Sequence, residues 1–319
     1  MRCSGQIFNT TPILVESIEH RFLLAESAHS LDVVPQILLE PMRKDSCAAI
    51  VAGALLALER DNDCMIIMVA ADHHIPDNVA FAGAVANAAA TAMAGMLVTF
   101  GVKPIKPATG HGYILLGKLT SFGDIAHVAR FVEKPSLPTA SDYIKSGYLW
   151  NSGNFLFRAK SLIDEAKKYA AAVVEAVKMA LGLADRDTDY IRLRDEFFAT
   201  SPQIWFDYAE MEKTDKACVL PVDYSWSDIG SSDEVSDHVK KDELENAIIG
   251  YGQIMISRNV TIHSENMLTA VIGCTDIAVV ATEDSVLVVK RGQSELVKDM
   301  VQLLEQIGLL TRKGDANKI

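Results

Sequence analysis

The sequence predicts an α/β protein built on a mostly parallel sheet, followed by a small β-rich domain. Two observations lead there. From Pro12 to Phe100, apolar strand-like runs alternate with helix-period segments, the pattern of a parallel sheet with helices on both faces. Beyond about residue 246, short β runs recur at close intervals, with a helix only at the end, as in a partial β-helix.

In order, Pro12–Val15 is a strand candidate, Glu19–Ser30 has helical spacing and Gln36–Leu39 is a second strand. Cys47–Leu58, rich in alanine and leucine, predicts a helix. Cys64–Ala71 is a continuous apolar run, expected of a central strand buried on both faces. Val79–Met93 predicts an alanine-packed helix ahead of strand Gly95–Phe100. Strands Tyr113–Lys118 and Val128–Glu133 follow, then a helix around Ala140–Ser146. Asn154–Arg158 is a return strand leading into one long helix, Ser161–Leu181. Asp185–Phe198 is a polar helical stretch, expected as a lid or flank. The character breaks in the charged segment Asp233–Glu245, dividing residues 1–235 from 246–310. The β runs after it are Ala247–Ile256, Val260–His263, Met267–Ile272, Ile277–Ala281 and Ser285–Val289, with an amphipathic helix at Ser294–Ile307. The polar tail Thr311–Ile319 is expected to fray.

Composition narrows the function. The 319 residues carry 42 acidic against 30 basic side chains, a net charge of −12, which argues against a nucleic-acid or membrane-surface binder. Phosphate chemistry then needs a local basic pocket and a divalent cation. The five cysteines, Cys3, Cys47, Cys64, Cys218 and Cys274, are scattered without ligand spacing, which fits a reducing cytoplasm. No apolar run reaches the ~20 residues that span a bilayer, and the opening residues lack the apolar region of a signal peptide.

Candidate chemistry gathers where strands end. Phe131–Phe157 holds a Glu133-Lys134-Pro135 turn and a Trp150-Asn151-Ser152-Gly153 turn. Strand ends in such sheets face the ligand crevice, and here they offer a carboxylate and an amide for hydroxyls and an ammonium for a phosphate. Pro135 biases Lys134 toward an extended backbone. Asp72, after MIIMVAA and followed by His73 and His74, emerges at a strand end, where a helix cap is an equal reading. Asp228 lies in the SWSDIG turn, with Trp226 placed to pack beneath it. Two separated carboxylates suit one Mg²⁺ held against phosphates. Thr99–Pro104 and Thr109–Ile114 form a small-residue cluster, in which Gly110 and Gly112 allow close backbone approach. Arg43, Lys44 and Ser46 open a helix and suit an anion, though a solvated loop with Ser46 as its cap reads equally well. Lys290, Arg291 and Lys298 read as solvated charges. No catalytic triad or GxGxxG stands out.

Taken together, ILLEP with Arg43, Asp72-His73, TFGVKP, TGHGYI, FVEKP, WNSGNFLF, DYAEMEK, WSDIG and IAVVATEDSVLVV resemble the bacterial mannose-1-phosphate guanylyltransferases, which make GDP-mannose. The resemblance runs from about Pro12 to the terminal helix. It implies the nucleotide-diphospho-sugar transferase fold with a β-helical C-terminal piece, and GTP, mannose 1-phosphate and Mg²⁺ as partners. Asp72 and Asp228 would bind the metal, and Glu133, Asn151 and Gly153 the mannose hydroxyls. Lys134 would meet the sugar phosphate, Arg43 and Ser46 would lie on the nucleotide side together with Asp72, and Gly110 and Gly112 would line the sugar pocket. Asp207, Glu212 and Lys213 would support the crevice, and the β-rich domain is a candidate homodimer surface.

Three departures from the family accompany this. The family's opening strand and glycine-rich triphosphate loop are not in the sequence, so its first strand would be missing from the middle of the sheet. Lys44-Asp45-Ser46-Cys47 replaces Asn-Thr-Ala-Pro, and Ser232 replaces an aromatic residue. Weak GTP turnover is the expectation if Met1 is the true start. Two other readings use the same turns: a catalytically silent sugar-phosphate-binding or regulatory homologue, and a nucleotidyltransferase for another sugar 1-phosphate or nucleotide.

Overall fold

The computed structural model describes residues 11–229 and 239–308, which divide into compact units on either side of the Trp226–Ser227 bond. Cys3, Gly230, Ser232, residues 233–238 of the Asp233–Glu245 segment and the tail Thr311–Ile319 lie outside the described residues, as does the side chain of Lys298.

In the first unit the expected alternation is present, shared between two sheets. Strand β1 (Ile13–Ser17) leads through a 3₁₀ turn into α1 (Arg21–Ser30), then β2 (Gln36–Glu40) into α2 (Asp45–Arg60). β1 and β2 pair in parallel and β2 continues to β9 (Tyr190–Arg192) and β8 (Asp185–Arg186), in the order β1-β2-β9-β8. A second, six-stranded sheet has the order β3-β7-β4-β10-β6-β5. Its members are β3 (Met65–Met68), β4 (Leu97–Val102), β5 (Tyr113–Leu119), β6 (Ala126–Val132), β7 (Leu149–Arg158) and β10 (Ala217–Val222), with α3 (Asn78–Met93) between β3 and β4.

The six-stranded sheet is mixed rather than mostly parallel: β4 and β10 pair in parallel, whereas β7 runs antiparallel to both β3 and β4, between which it lies, and β6 runs antiparallel to both β10 and β5. This corrects the reading of β3 as a central strand. Among the described residues it is an edge strand paired only with β7, and its residues are partly exposed. An apolar run shows that a segment is buried somewhere, not how many neighbours it has. β10 has no counterpart in the sequence reading, where Pro221 masks it. The ladder to β6 covers only Cys218 and Val219, so the proline sits beyond it, where strands tolerate one.

Two further expectations change. The long helix at 161–181 is two, α5 (Ala159–Tyr169) and α6 (Ala171–Gly182), broken at Ala170 with φ −139°. Asp185–Phe198 is not a helical lid: it forms β8, β9 and the single turn α7 (Asp195–Phe198). Arg186 there grips Glu59 of α2 through two hydrogen bonds of 2.9 and 2.8 Å, and Ile191 is buried in the core. The core lies on both sides of the six-stranded sheet. One cluster joins Phe155, Phe157 and Val219 to α2, α5 and α6, and the other joins Phe100, Leu156 and Cys218 to α3.

The second unit is β-helical in character. β11 (Ala247–Met255), β12 (Arg258–Ile272) and β13 (Thr275–Ala281) pair in parallel through tight connections, and β14 (Val286–Lys290) closes the sheet antiparallel. The two β runs read at 260–263 and 267–272 are one strand, β12. Val260, Ile262, Val271 and Val279 form the unit's small core. Arg291 is not simply solvated, since its Nη1 donates to Asn259 Oδ1 at 3.0 Å. A short 3₁₀ turn leads into α8 (Val297–Gln306). Among the described residues no helix is long and apolar enough to cross a membrane, and the four described cysteines are free.

Candidate active site at the ends of β6 and β7

The Trp150–Gly153 segment is not a turn. It lies inside β7, where Thr99 pairs with Phe155 but Gly101 pairs with Asn151, so the stretch between them bulges. Gly153 takes φ +68° within it, a conformation natural to glycine, and a side chain there would press on the His73 ring. Bulges re-aim side chains. Here the bulge turns the Asn151 amide toward neighbours from other segments.

Asn151 is 7% exposed and its amide is almost fully used. Its Oδ1 accepts from Thr99 Oγ1 at 2.7 Å and from the Gly153 N–H at 3.2 Å. Its Nδ2 donates to Asp207 Oδ1 at 3.1 Å, and its backbone N–H donates to the Gly112 carbonyl at 2.8 Å. Asp207 begins a π-helical turn, Asp207–Met211. π turns are rare and concentrate at functional sites.

Glu133 follows β6 with its side chain 11% exposed, and its Oε2 is buried without a hydrogen-bond partner. Gly112 makes room for it, since a Cβ there would run into that oxygen and crowd Asn151. Gly110, by contrast, faces open space. Burial, reinforced by the Asp207 charge and only partly offset by Lys134, pushes the Glu133 carboxyl up to about 7. Burial likewise raises Asp207 to about 6, against the pull of its backbone hydrogen bond, Lys134 and Asn151. A buried acceptor lacking a donor is costly, so Glu133 is suited to a ligand that brings one.

Lys134 corrects another expectation. Rather than extended, its backbone is left-handed at φ +47°, a region that non-glycine residues rarely occupy outside functional or strained positions. The twist sets Nζ 3.8 Å from Glu133 Oε1 and 4.7 Å from the centre of the Trp205 ring. The ammonium is thus held by a carboxylate and an aromatic face, and it stays half exposed toward solvent.

Other candidates are placed less centrally. Asp72 is 62% exposed beyond the edge strand β3, 4.0 Å from His73 Nε2, while His73 Nδ1 meets Asn154 Oδ1 at 2.9 Å. Trp226 packs edge-on against His73 and His111. Asp228 belongs to the second unit. Ser46 is neither a helix cap nor open to a ligand at its acceptor, for its Oγ accepts the Phe206 N–H at 2.9 Å. Arg43 is exposed in the β2–α2 loop, and Lys44 Nζ is spent on the Ala199 carbonyl at 2.7 Å. Glu212 and Lys213 are exposed, whereas Asp207 is in direct contact with the site. Sequence reasoning placed Thr99 in a small-residue cluster but not the bond its hydroxyl makes, and it missed Trp205. A threonine in a strand signals no such bond by spacing, whereas Trp205, 47% exposed two residues before Asp207, was a detectable oddity.

An α/β sheet whose strand ends carry a buried carboxylate, a fixed amide and an aromatic-held lysine has the framework of a nucleotidyl transferase. Comparison supports that class: residues 4–245 match the family model for nucleotidyl transferase, and the chain belongs to that family. Residues 254–304 match the MannoseP isomerase/GMP-like beta-helix domain. Among curated relatives, the chain is 42% identical to the xanthan biosynthesis protein XanB of Xanthomonas campestris pv. campestris (strain B100), over 96% of this chain and 65% of the relative. It is 40% identical to a mannose-1-phosphate guanylyltransferase of Klebsiella pneumoniae, over 92% of this chain and 64% of the relative. The chain therefore spans just under two thirds of the length of these relatives. A crystal structure described as mannose-1-phosphate geranyltransferase from Thermus thermophilus superposes with a TM-score of 0.78 at 27% identity, covering 92% of this chain and 84% of that one.

Proposed function

We propose that this chain carries a guanylyltransferase activity that joins mannose 1-phosphate to the GMP moiety of GTP, giving GDP-mannose and pyrophosphate. The carrying observation is the Glu133–Lys134–Asn151 constellation, with an unpartnered buried acceptor beside an aromatic-held cation. The names of the relatives agree with it. A phosphate oxygen of mannose 1-phosphate attacks the α-phosphorus of GTP, a new P–O bond forms, and the bond to the leaving pyrophosphate breaks. Glu133 accepts a sugar hydroxyl, Asn151 donates to another, and Lys134 meets the sugar phosphate. Because a phosphate oxygen is already nucleophilic, no general base is required, and rate comes from positioning and charge neutralisation.

Mg²⁺ would supply neutralisation of the triphosphate when bound. The largely exposed Asp72 carboxylate suits a cation that brings phosphate oxygens as its other ligands. Arg43 is proposed on the nucleotide side. A cytoplasmic setting is proposed from the scattered, free cysteines.

The test is pyrophosphate release from GTP and mannose 1-phosphate with Mg²⁺, alongside other sugar 1-phosphates and nucleotides. Preference for GTP with mannose 1-phosphate is expected, and preference for another pair would overturn this assignment. The pH dependence is a second readout. As pH falls from 8 to 6, the Glu133 carboxylate takes up a proton and loses strength as an acceptor, so mannose 1-phosphate affinity should drop by about five- to tenfold. In Glu133→Gln that limb should flatten, and a limb unchanged in the variant would dissociate Glu133 from the sugar.

We also propose a homodimer through the second unit. Val286 and Val288 are exposed on its antiparallel edge strand, and Met300, Val301, Leu303 and Ile307 are exposed on or just beyond α8. Sedimentation should give twice the 34.8 kDa chain mass, and a monomer at tens of micromolar would refute it.

A further inference from the structure

The amide of Asn151 has three settled bonds, and together they decide which way it faces. Either orientation of an asparagine amide has the same shape, and only hydrogen-bond partners choose between them. Here the donor-only Gly153 N–H and the Asp207 carboxylate set the choice, and the Thr99 hydroxyl reinforces it when its single hydrogen lies on Asn151 rather than on the Asn154 carbonyl. Thr99 Oγ1, wholly buried, reaches Asn151 Oδ1 at 2.7 Å and the Asn154 carbonyl at 3.1 Å. The Gly153 N–H can only donate, and it too points at Oδ1 at 3.2 Å. On the other side Asp207 Oδ1, an acceptor when ionised, takes one Nδ2 hydrogen at 3.1 Å. One Nδ2 hydrogen is left over.

We infer that Thr99 and Asp207 are positioning residues that clamp the Asn151 amide in a single orientation, so that it presents an N–H donor, and not a carbonyl acceptor, to the sugar phosphate. The site then has a fixed polarity. Asn151 donates, Glu133 Oε2 accepts, and a sugar whose neighbouring hydroxyls can serve as acceptor and donor respectively is the one that fits. With the clamp weakened the amide turns over more readily, and a turned amide sets a carbonyl against a group chosen to accept. The inference rests on the proposed sugar-phosphate reading of the site for its substrate, while the clamp itself is a property of the fold.

The test uses the full chain with Thr99→Val, which keeps the shape and removes the hydroxyl, Thr99→Ser, which restores it, and Asp207→Asn. Calorimetry would measure mannose 1-phosphate and GTP separately, and NMR would follow the side-chain NH₂ group of Asn151. Thr99→Val should weaken mannose 1-phosphate by about tenfold, leave GTP within about twofold, and lower the order of the Asn151 NH₂ group. Thr99→Ser should recover most of the loss, and Asp207→Asn should weaken the sugar phosphate selectively. Equal weakening of both ligands, or sugar binding unchanged in Thr99→Val, overturns the positioning role and leaves the function reading standing. If the unaltered chain binds neither ligand, the function reading fails, and the NH₂ group alone decides the clamp: order lost in Thr99→Val upholds it, and identical spectra overturn it.

Discussion

Replacing Lys134 with methionine should lower guanylyl transfer by about 10²–10³-fold, the scale for removing one preorganised charge-stabilising group from an active site. The expected loss is large because the geometry commits so much to this one ammonium. Its backbone is held left-handed, its charge is braced by Glu133 at 3.8 Å, and Trp205 supports it from below. Lys134→Arg should retain part of the rate, since the charge survives although the fit to the Trp205 face and the turn does not. Stability should move little, because the side chain is half exposed and exposed ion pairs contribute at most about 1 kcal/mol. The measurement is steady-state pyrophosphate release with a parallel thermal melt. A methionine variant that keeps more than a tenth of the rate would remove Lys134 from the chemistry.

The second large effect concerns stability. Glu210, in the π-helical turn beside Asp207, is fully buried among Ala209, Met211 and the α2 core, and neither carboxylate oxygen has a hydrogen-bond partner. Burial, with a smaller contribution from Glu165, pushes its carboxyl up to about 8. In the unfolded chain the group titrates near 4.5, so between these values the native state binds the extra proton. Stability is therefore highest below about 4.5 as far as this group is concerned, and it falls as pH rises toward 8. At pH 7 the difference amounts to about 3 kcal/mol. Glu210→Met, of similar length and apolar, should raise the melting temperature by several degrees at pH 8 and by much less at pH 5. A melting difference independent of pH would show that Glu210 is not buried as a neutral acid.

Much of the fold could be read before the structure, because periodicity reports burial and the βα repeats of the first hundred residues are regular. What could not be read was neighbourhood. The run Met65–Met68 looks central and among the described residues is an edge; Ala217–Val222, with Pro221 inside it, has no counterpart in the sequence reading and is an interior strand. The site divides the same way. Glu133, Asn151 and Gly153 stood out because polar residues flanked by aromatics need an explanation, and the structure brings all three close to Asp207 or to one another. The left-handed Lys134 was invisible because the residue before a proline is normally extended. The bond of the Thr99 hydroxyl to Asn151 was hidden because a threonine in a strand is ordinary, and the burial of Glu210 because a charged letter in DYAEMEK reads as surface. Arg43, Ser46, Asp72 and Asp228 were singled out by local charge and position and given specific roles only by the resemblance, and Ser46 proves to be engaged by Phe206.

The hydrogen bonds that hold Asn151 and its bulge join residues far apart along the chain: Thr99 to Asn151 spans 52 positions, Asn151 to Asp207 spans 56, and His73 to Asn154 spans 81. Each closes a long loop, and such contacts form late because the chain must surrender its freedom before they return anything. The internal hydrogen bonds of α2 and α3 are local and can form early, but the Asn151 cluster requires β7 to lie between β3 and β4. During synthesis the Asn151 cluster therefore cannot be complete until the chain has grown past Asp207.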